Sequence, residues 1–245
     1  MIAARCQSHS ERRRESIALG HFAARTIFIL ASIFAGPFFC LTGAGAGDTK
    51  LGQNIADAAE TLIGGIRETH YEHKTHVVQS DGIYDMDCSG FVDYLLKRVA
   101  PEQYTHLPIE SGHVRPRAAT YFDFFHSLPG TPVAGWKSID QLADARRGDI
   151  IAWALEASTQ KFGDTGHVVI VAAPPVSTNA REYRVTVYDS SGIRHDEDSR
   201  PEGTSGIGEG VITIRVEEHG TPVGFRFGSH AHFHLEPIAI GRIVN

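Results

Sequence analysis

The strongest constraint on what this chain can fold into is a change of period at Gly148. Downstream of it, GDIIAWA (148–154), GHVVIVAA (166–173), YRVTVYD (183–189), GVITIRV (210–216) and GFRFG (224–228) are short β-branched or aromatic runs. Gly, Pro, Asn and Asp separate them, so each reads as a β-strand bounded by turns. Upstream the spacing is helical. Within 51–68, Ile55, Ala58, Ala59, Leu62, Ile63 and Ile66 share one face. From Cys88 onward Phe91, Val92, Leu95, Leu96 and Val99 do the same, and Pro101 ends the run. A further short helix is expected in AATYFDFFHSL (118–128), within a Pro-containing connection over 101–147. The polar stretches 69–86 and 191–209 read as loops. Helices first and strands afterwards predict an α+β fold, N-terminal helices packed on an antiparallel β-sheet.

The first 46 residues differ from the rest. Arg12, Arg13, Arg14 and Arg25 precede an uncharged stretch, TIFILASIFAGPFFCLTGAGA (26–46), which ends on small residues at Ala44–Ala46. Basic flank, apolar run and small-residue end are the pattern of a secretory signal cleaved after Ala46. The competing reading is an uncleaved N-terminal membrane anchor, since such a stretch can cross about 30 Å of hydrocarbon as a helix. Either way residues 47–245 are expected outside the cytoplasm, as one domain. Apolar residues make up 42% of the chain and charged residues 21%, enough for a packed core.

Charge narrows the partners. Of the net −6, residues 1–46 carry five Arg and two Glu, which leaves about −9 on the exported part. An acidic domain without clustered Lys and Arg is not expected to bind nucleic acid, nor an anionic lipid surface except through the N-terminal segment. No cofactor is assigned, and the oligomeric state is not readable.

Cysteine usage points to chemistry. Cys6 and Cys40 lie in the targeting segment, so Cys88 is the only thiol of residues 47–245. A lone cysteine in an exported protein is either an inert buried thiol or a reactive one. Its context, YDMDCSGFVDYLL, places it just ahead of an apolar helical face, with Asp87 as the N-cap candidate. A thiol in a first helical turn feels the positive end of the helix dipole, which favours thiolate, and nearby unpaired N–H groups suit an oxyanion. Gly90 keeps that turn small enough for another chain segment to approach.

Asp-Cys-Ser-Gly-Phe-Val opening a helix, Arg-Gly-Asp-Ile-Ile (147–151) opening a strand, and Gly-His-Val-Val-Ile-Val (166–171) follow in this order. Together they resemble the NlpC/P60 family of papain-like cysteine peptidases, over about Tyr71 to Ser190. The resemblance implies a papain-like fold, Cys88 as nucleophile and His167 as general base. It also implies an exported hydrolase cleaving amide bonds in cell-wall peptidoglycan, or in another peptide substrate. A cysteine nucleophile needs an imidazole that first takes the thiol proton and then protonates the leaving amine.

The third member is read from alternation. In YRVTVYD, Tyr183, Val185, Val187 and Asp189 share a face, so Asp189 would end a buried row with a carboxylate in need of a partner such as a His N–H. A turn Asp opening the Asp-Ser-Ser-Gly loop is the alternative. The family more often has His at this point, and the spacings from Cys88 to His167 and on to Asp189 exceed those of compact members. The insertions 101–147 and 174–182 are therefore expected to shape the substrate groove. Tyr84 is a candidate for positioning substrate or the oxyanion, with core or loop packing as the alternative.

Other functions stay open. SHAHFH (229–234) would set His230, His232 and His234 on one face of a strand, an arrangement suited to zinc or copper. A non-catalytic wall-binding module and an acyl or amide transferase on the same scaffold are the remaining alternatives.

Overall fold

The computed structural model of the protein describes residues 49–156 and 163–244. The apolar stretch 26–46, and with it the expected signal or anchor, lies outside the described residues. Among those described, no helix is long and apolar enough to cross a membrane.

Helix α1 (Lys50–Gly65) begins where the Thr49 hydroxyl accepts from Gly52 N–H, and it buries Ile55, Ala56 and Ala59. The stretch expected as a loop, 69–86, instead forms a small sheet: β1 (Glu68–His70), β2 (His76–Val78) and β3 (Ile83–Asp85), with β3 in the middle. These strands have three residues each, too few to show a period of two, and their polar composition hid them. Helix α2 (Cys88–Val99) follows, then α3 (Pro101–Thr105), α4 (Ala118–Ser127) and strand β4 (Trp136–Ser138).

The second half of the chain is the large sheet. Its strands are β5 (Ile150–Ala154), β6 (Gly166–Val171), β7 (Val176–Asn179), β8 (Glu182–Ser191), β9 (Gly206–Val216), β10 (Pro222–Arg226) and β11 (Ile238–Ile243). With β4 they pair antiparallel throughout, in the order β10-β9-β8-β6-β5-β11-β4, and β7 adds on to β8. The α+β class and the antiparallel sheet are thus as expected. Strands β4, β7 and β11 were not anticipated. The SHAHFH segment is not a strand: it joins the sheet only at His234, paired with Phe225, while His230 and His232 lie exposed.

Two cores follow from strand alternation. Val168 and Ile170 of β6 face α2 and α4, and pack with Phe91, Leu95, Tyr121 and Phe125. Val169, Val171, Val185, Val187, Ile212 and Trp153 face the other way, into a core made by the far side of the sheet. Burying an aliphatic or aromatic side chain is worth about 1.5–3 kcal/mol, so the central strands β5, β6 and β8 are fixed from both faces. The Arg-Gly-Asp-Ile-Ile motif is part of this framework. Asp149 takes Arg242 Nε and Nη2 at 2.8 and 2.7 Å, and Arg147 donates to Asp57, Glu60 and the Tyr188 hydroxyl. Strand β7 lies outside both cores, with all four residues exposed.

Candidate active site

Cys88 occupies the first position of α2. The Asp87 side chain caps the helix by accepting from Gly90 N–H at 2.7 Å, as the sequence suggested. Space at Gly90 is tight: a Cβ would sit 3.1–3.2 Å from Met86, Asp87 and Thr75. Asp87 also receives Arg115 Nη2 on both oxygens, at 2.8 and 2.7 Å, and Arg115 Nη1 reaches the Ser89 hydroxyl at 2.5 Å. Gly90 N–H is spent on the cap. The amides of Cys88 and Ser89 donate to nothing among the described residues.

The thiol differs from the expectation of a thiolate. Burial raises its pKa first and the Asp87 carboxylate next, against the pull of the Val168 N–H, so Cys88 rests protonated. The helix dipole acts in the expected direction but loses to desolvation, because the residue is only 3% exposed. Tyr71, from the connection after β1, is the aromatic hydroxyl beside the thiol. Burial raises its own pKa, and so does the neighbouring Cys88. Tyr84, the expected tyrosine, is packed in the core edge-on to Tyr94 at 5.9 Å. One residue of a pair of aromatics near a nucleophile cannot be chosen from sequence distance alone.

His167 is the second residue of β6, after Gly166, whose φ is +138° and whose Cβ would lie 2.0 Å from the Trp153 carbonyl oxygen. Only glycine fits there, and it brings the His167 ring against Trp153 at 5.2 Å. By alternation His167 shares the far face of the sheet with Asp189, which follows Val185 and Val187 as read. His167 Nε2 donates to Asp189 Oδ2 at 2.7 Å, and Asp189 is fully buried. Burial opposes ionisation of Asp189, but His195 and His167 outweigh it and hold the carboxyl well below the usual range.

Two of the three residues are joined directly. His167 and Asp189 are hydrogen-bonded. Cys88 lies on the α2 side of the same strand, in one core with Val168, whose N–H pulls the thiol pKa down. No hydrogen bond joins Cys88 to His167 among the described residues. Cys88 faces a polar cleft of about 290 Å³ with Arg115 and His113, and His167 faces an apolar one of about 310 Å³ with Trp153 and Phe227. Tyr71, Asp164 and Gly166 line both, so the clefts adjoin across the start of β6. The insertion 101–147 does shape the groove, through His113, Arg115 and Arg117; 174–182 does not, since it forms the outlying β7.

No family model, no curated protein and no solved structure matches this chain at a significant level.

Sequence reasoning missed His195. It lies in the segment expected as a loop, now bounded by β8 and β9, and its Nε2 donates to Asp189 Oδ2 at 2.9 Å. Among the described residues His167, Asp189 and His195 are the one group able to hold a metal ion, with ligand atoms within 4.8 Å of one another. Hydrogen bonds already join all three, and a metal would have to displace both N–H protons. His230, His232 and His234 form no such group. A signal for His195 was present in Gly206, Gly208 and Gly210. Three glycines at every second position of a strand remove side chains from one face, which marks where something packs flat on it.

Proposed function

We propose that the protein is a cysteine hydrolase of amide bonds, of the papain-like NlpC/P60 kind, acting on cell-wall peptidoglycan outside the cytoplasm. The observation that carries the reading is the His167–Asp189 hydrogen bond of 2.7 Å, beside a cleft that shares Tyr71, Asp164 and Gly166 with the cleft of Cys88. Because Nε2 of His167 is committed to Asp189, Nδ1 is the nitrogen left for the thiol. In this reading Nδ1 completes its approach with substrate in the cleft, as catalytic contacts commonly do.

The steps balance without any further reactant. His167 Nδ1 takes the Cys88 proton as sulfur attacks the carbonyl carbon. The resulting oxyanion has the free amides of Cys88 and Ser89, and the Tyr71 hydroxyl, as donors. Collapse breaks the C–N bond, the imidazolium proton goes to the leaving amine, and a thioester remains on Cys88. Water, deprotonated by His167, then releases the acid and restores the thiol. A protonated resting thiol is compatible with this sequence, since proton transfer and attack are coupled.

The test is incubation of the purified protein with peptidoglycan, beside Cys88→Ala, followed by mass spectrometry of the fragments. New fragments from the wild type alone are expected; identical patterns from both proteins would sink the reading. Asp189→Asn is expected to lower kcat by on the order of 10²-fold or more with KM little changed, because the imidazole loses its orienting acceptor.

A further inference from the structure

One oxygen of Asp189 accepts from two imidazoles, His167 Nε2 at 2.7 Å and His195 Nε2 at 2.9 Å. The second ring is enclosed: His195 has a side-chain exposure of 0%, and it stacks on Phe227 at 5.1 Å. Phe227 also meets His167 edge-on at 5.5 Å, so one aromatic ring seats both imidazoles. The backbone behind His195 is tied down as well. Asp198 accepts from His195 N–H at 2.8 Å and from Arg200 Nε and Nη2, both at 2.8 Å. Arg200 in turn donates to the Gly206 carbonyl at 2.8 Å and stands 3.4 Å from the other oxygen of Asp189.

Strand β9 is cut to receive this loop. A Cβ on Gly210 would lie 2.7 Å from His195 Cβ, and one on Gly208 would lie 2.7 Å from Arg200 Cγ. A filler of the same shape would be cheaper than His195, whose buried Nδ1 has no hydrogen-bond partner among the described residues. Leaving a buried polar atom unpaired costs about 1–3 kcal/mol, and an apolar residue would avoid it. What an apolar residue would not provide is the second N–H on Asp189.

Resting on the proposed Cys88–His167 chemistry, we propose that His195 is a positioning residue for the reaction. Its N–H holds Asp189 Oδ2 in place, so the carboxylate neither rotates away from His167 nor accepts its proton. That keeps the N–H of His167 on Nε2 and Nδ1 free as the base.

The test compares His195→Leu, which keeps bulk and loses the donor, with His195→Gln, whose amide returns an N–H near the same place. Full-length protein is treated with iodoacetamide at neutral pH, and alkylation is followed at Cys88 by peptide mass mapping, so Cys6 and Cys40 do not contribute. Tm is measured for each variant. His195→Leu is expected to slow Cys88 alkylation on the order of tenfold, as Asp189→Asn is, and by more than any fall in Tm accounts for. His195→Gln is expected to recover most of the rate. The proposal is overturned if His195→Leu alkylates like the wild type while Asp189→Asn is slow, or if both His195 variants lose rate in step with Tm. If His167→Ala and Asp189→Asn also alkylate at the wild-type rate, the Cys88–His167 pairing itself fails, and the proposal with it.

Discussion

At Cys88 two effects oppose each other, and Asp87 acts on the side that disfavours thiolate. It caps α2, which holds Cys88 in place, yet its charge raises the thiol pKa after burial has already done so. Asparagine caps a helix about as well as aspartate. Asp87→Asn is therefore expected to retain the helix while removing the anion and releasing Arg115 from its carboxylate. Both changes favour thiolate, so the pH at which Cys88 is half-alkylated should fall. Titration of the alkylation rate against pH checks this, and an upward move would show that the cap matters more than the charge. Cys88, His167 and Asp189 were each visible as residues because their neighbours are diagnostic: a cap before a helix, a glycine before a strand, a carboxylate ending an apolar row. Tyr71 and His195 were not, since each owes its place to a contact across more than a hundred residues or across a loop.

Among the elements, β5 shows how much of a motif can be scaffolding. Asp149 and Arg242 form a bidentate pair between β5 and β11, with Arg242 only 5% exposed. Truncating one partner strands the other charge in the core, at a cost of about 3–5 kcal/mol. Asp149→Ala should lower the urea midpoint by that amount divided by the m-value, with the loss much reduced in the double variant Asp149→Ala/Arg242→Met. Equilibrium unfolding of both variants measures it. Long periodic elements were legible: α1, α2 and the strands β5, β6, β8, β9 and β10 were expected from apolar spacing. The three-residue strands β1 to β3 and the edge strand β7 carry too few apolar positions to be read. Strand β11, IAIGRI, is apolar enough, but it follows the histidine-rich segment and was obscured by it.

For the molecule as a whole, pH acts on buried carboxylates whose pKa values are shifted in opposite directions, Asp93 upward and Asp189 downward. Burial, opposed by the Tyr121 hydroxyl and by Arg115, raises Asp93 to about 7. Between the ordinary carboxylate range and that value the folded chain keeps a proton that the unfolded chain has released, so stability falls as pH rises. Asp93→Asn removes this term. The Tm of the variant relative to the wild type should therefore climb by several degrees between pH 5 and pH 8, as differential scanning calorimetry would record. Asp189 runs the other way: its lowered pKa stabilises the fold above the ordinary carboxylate range, and that contribution is lost on acidification.

Strand β7 has a practical consequence. It is a fully exposed hairpin arm on β8, its tip at Ala180–Arg181 is exposed, and it lines neither cleft. Chain can be added at that tip without crossing a core or a cleft wall. A reporter peptide or an immobilisation tag spliced there would leave both clefts open, turning an outlying arm of the fold into a handle.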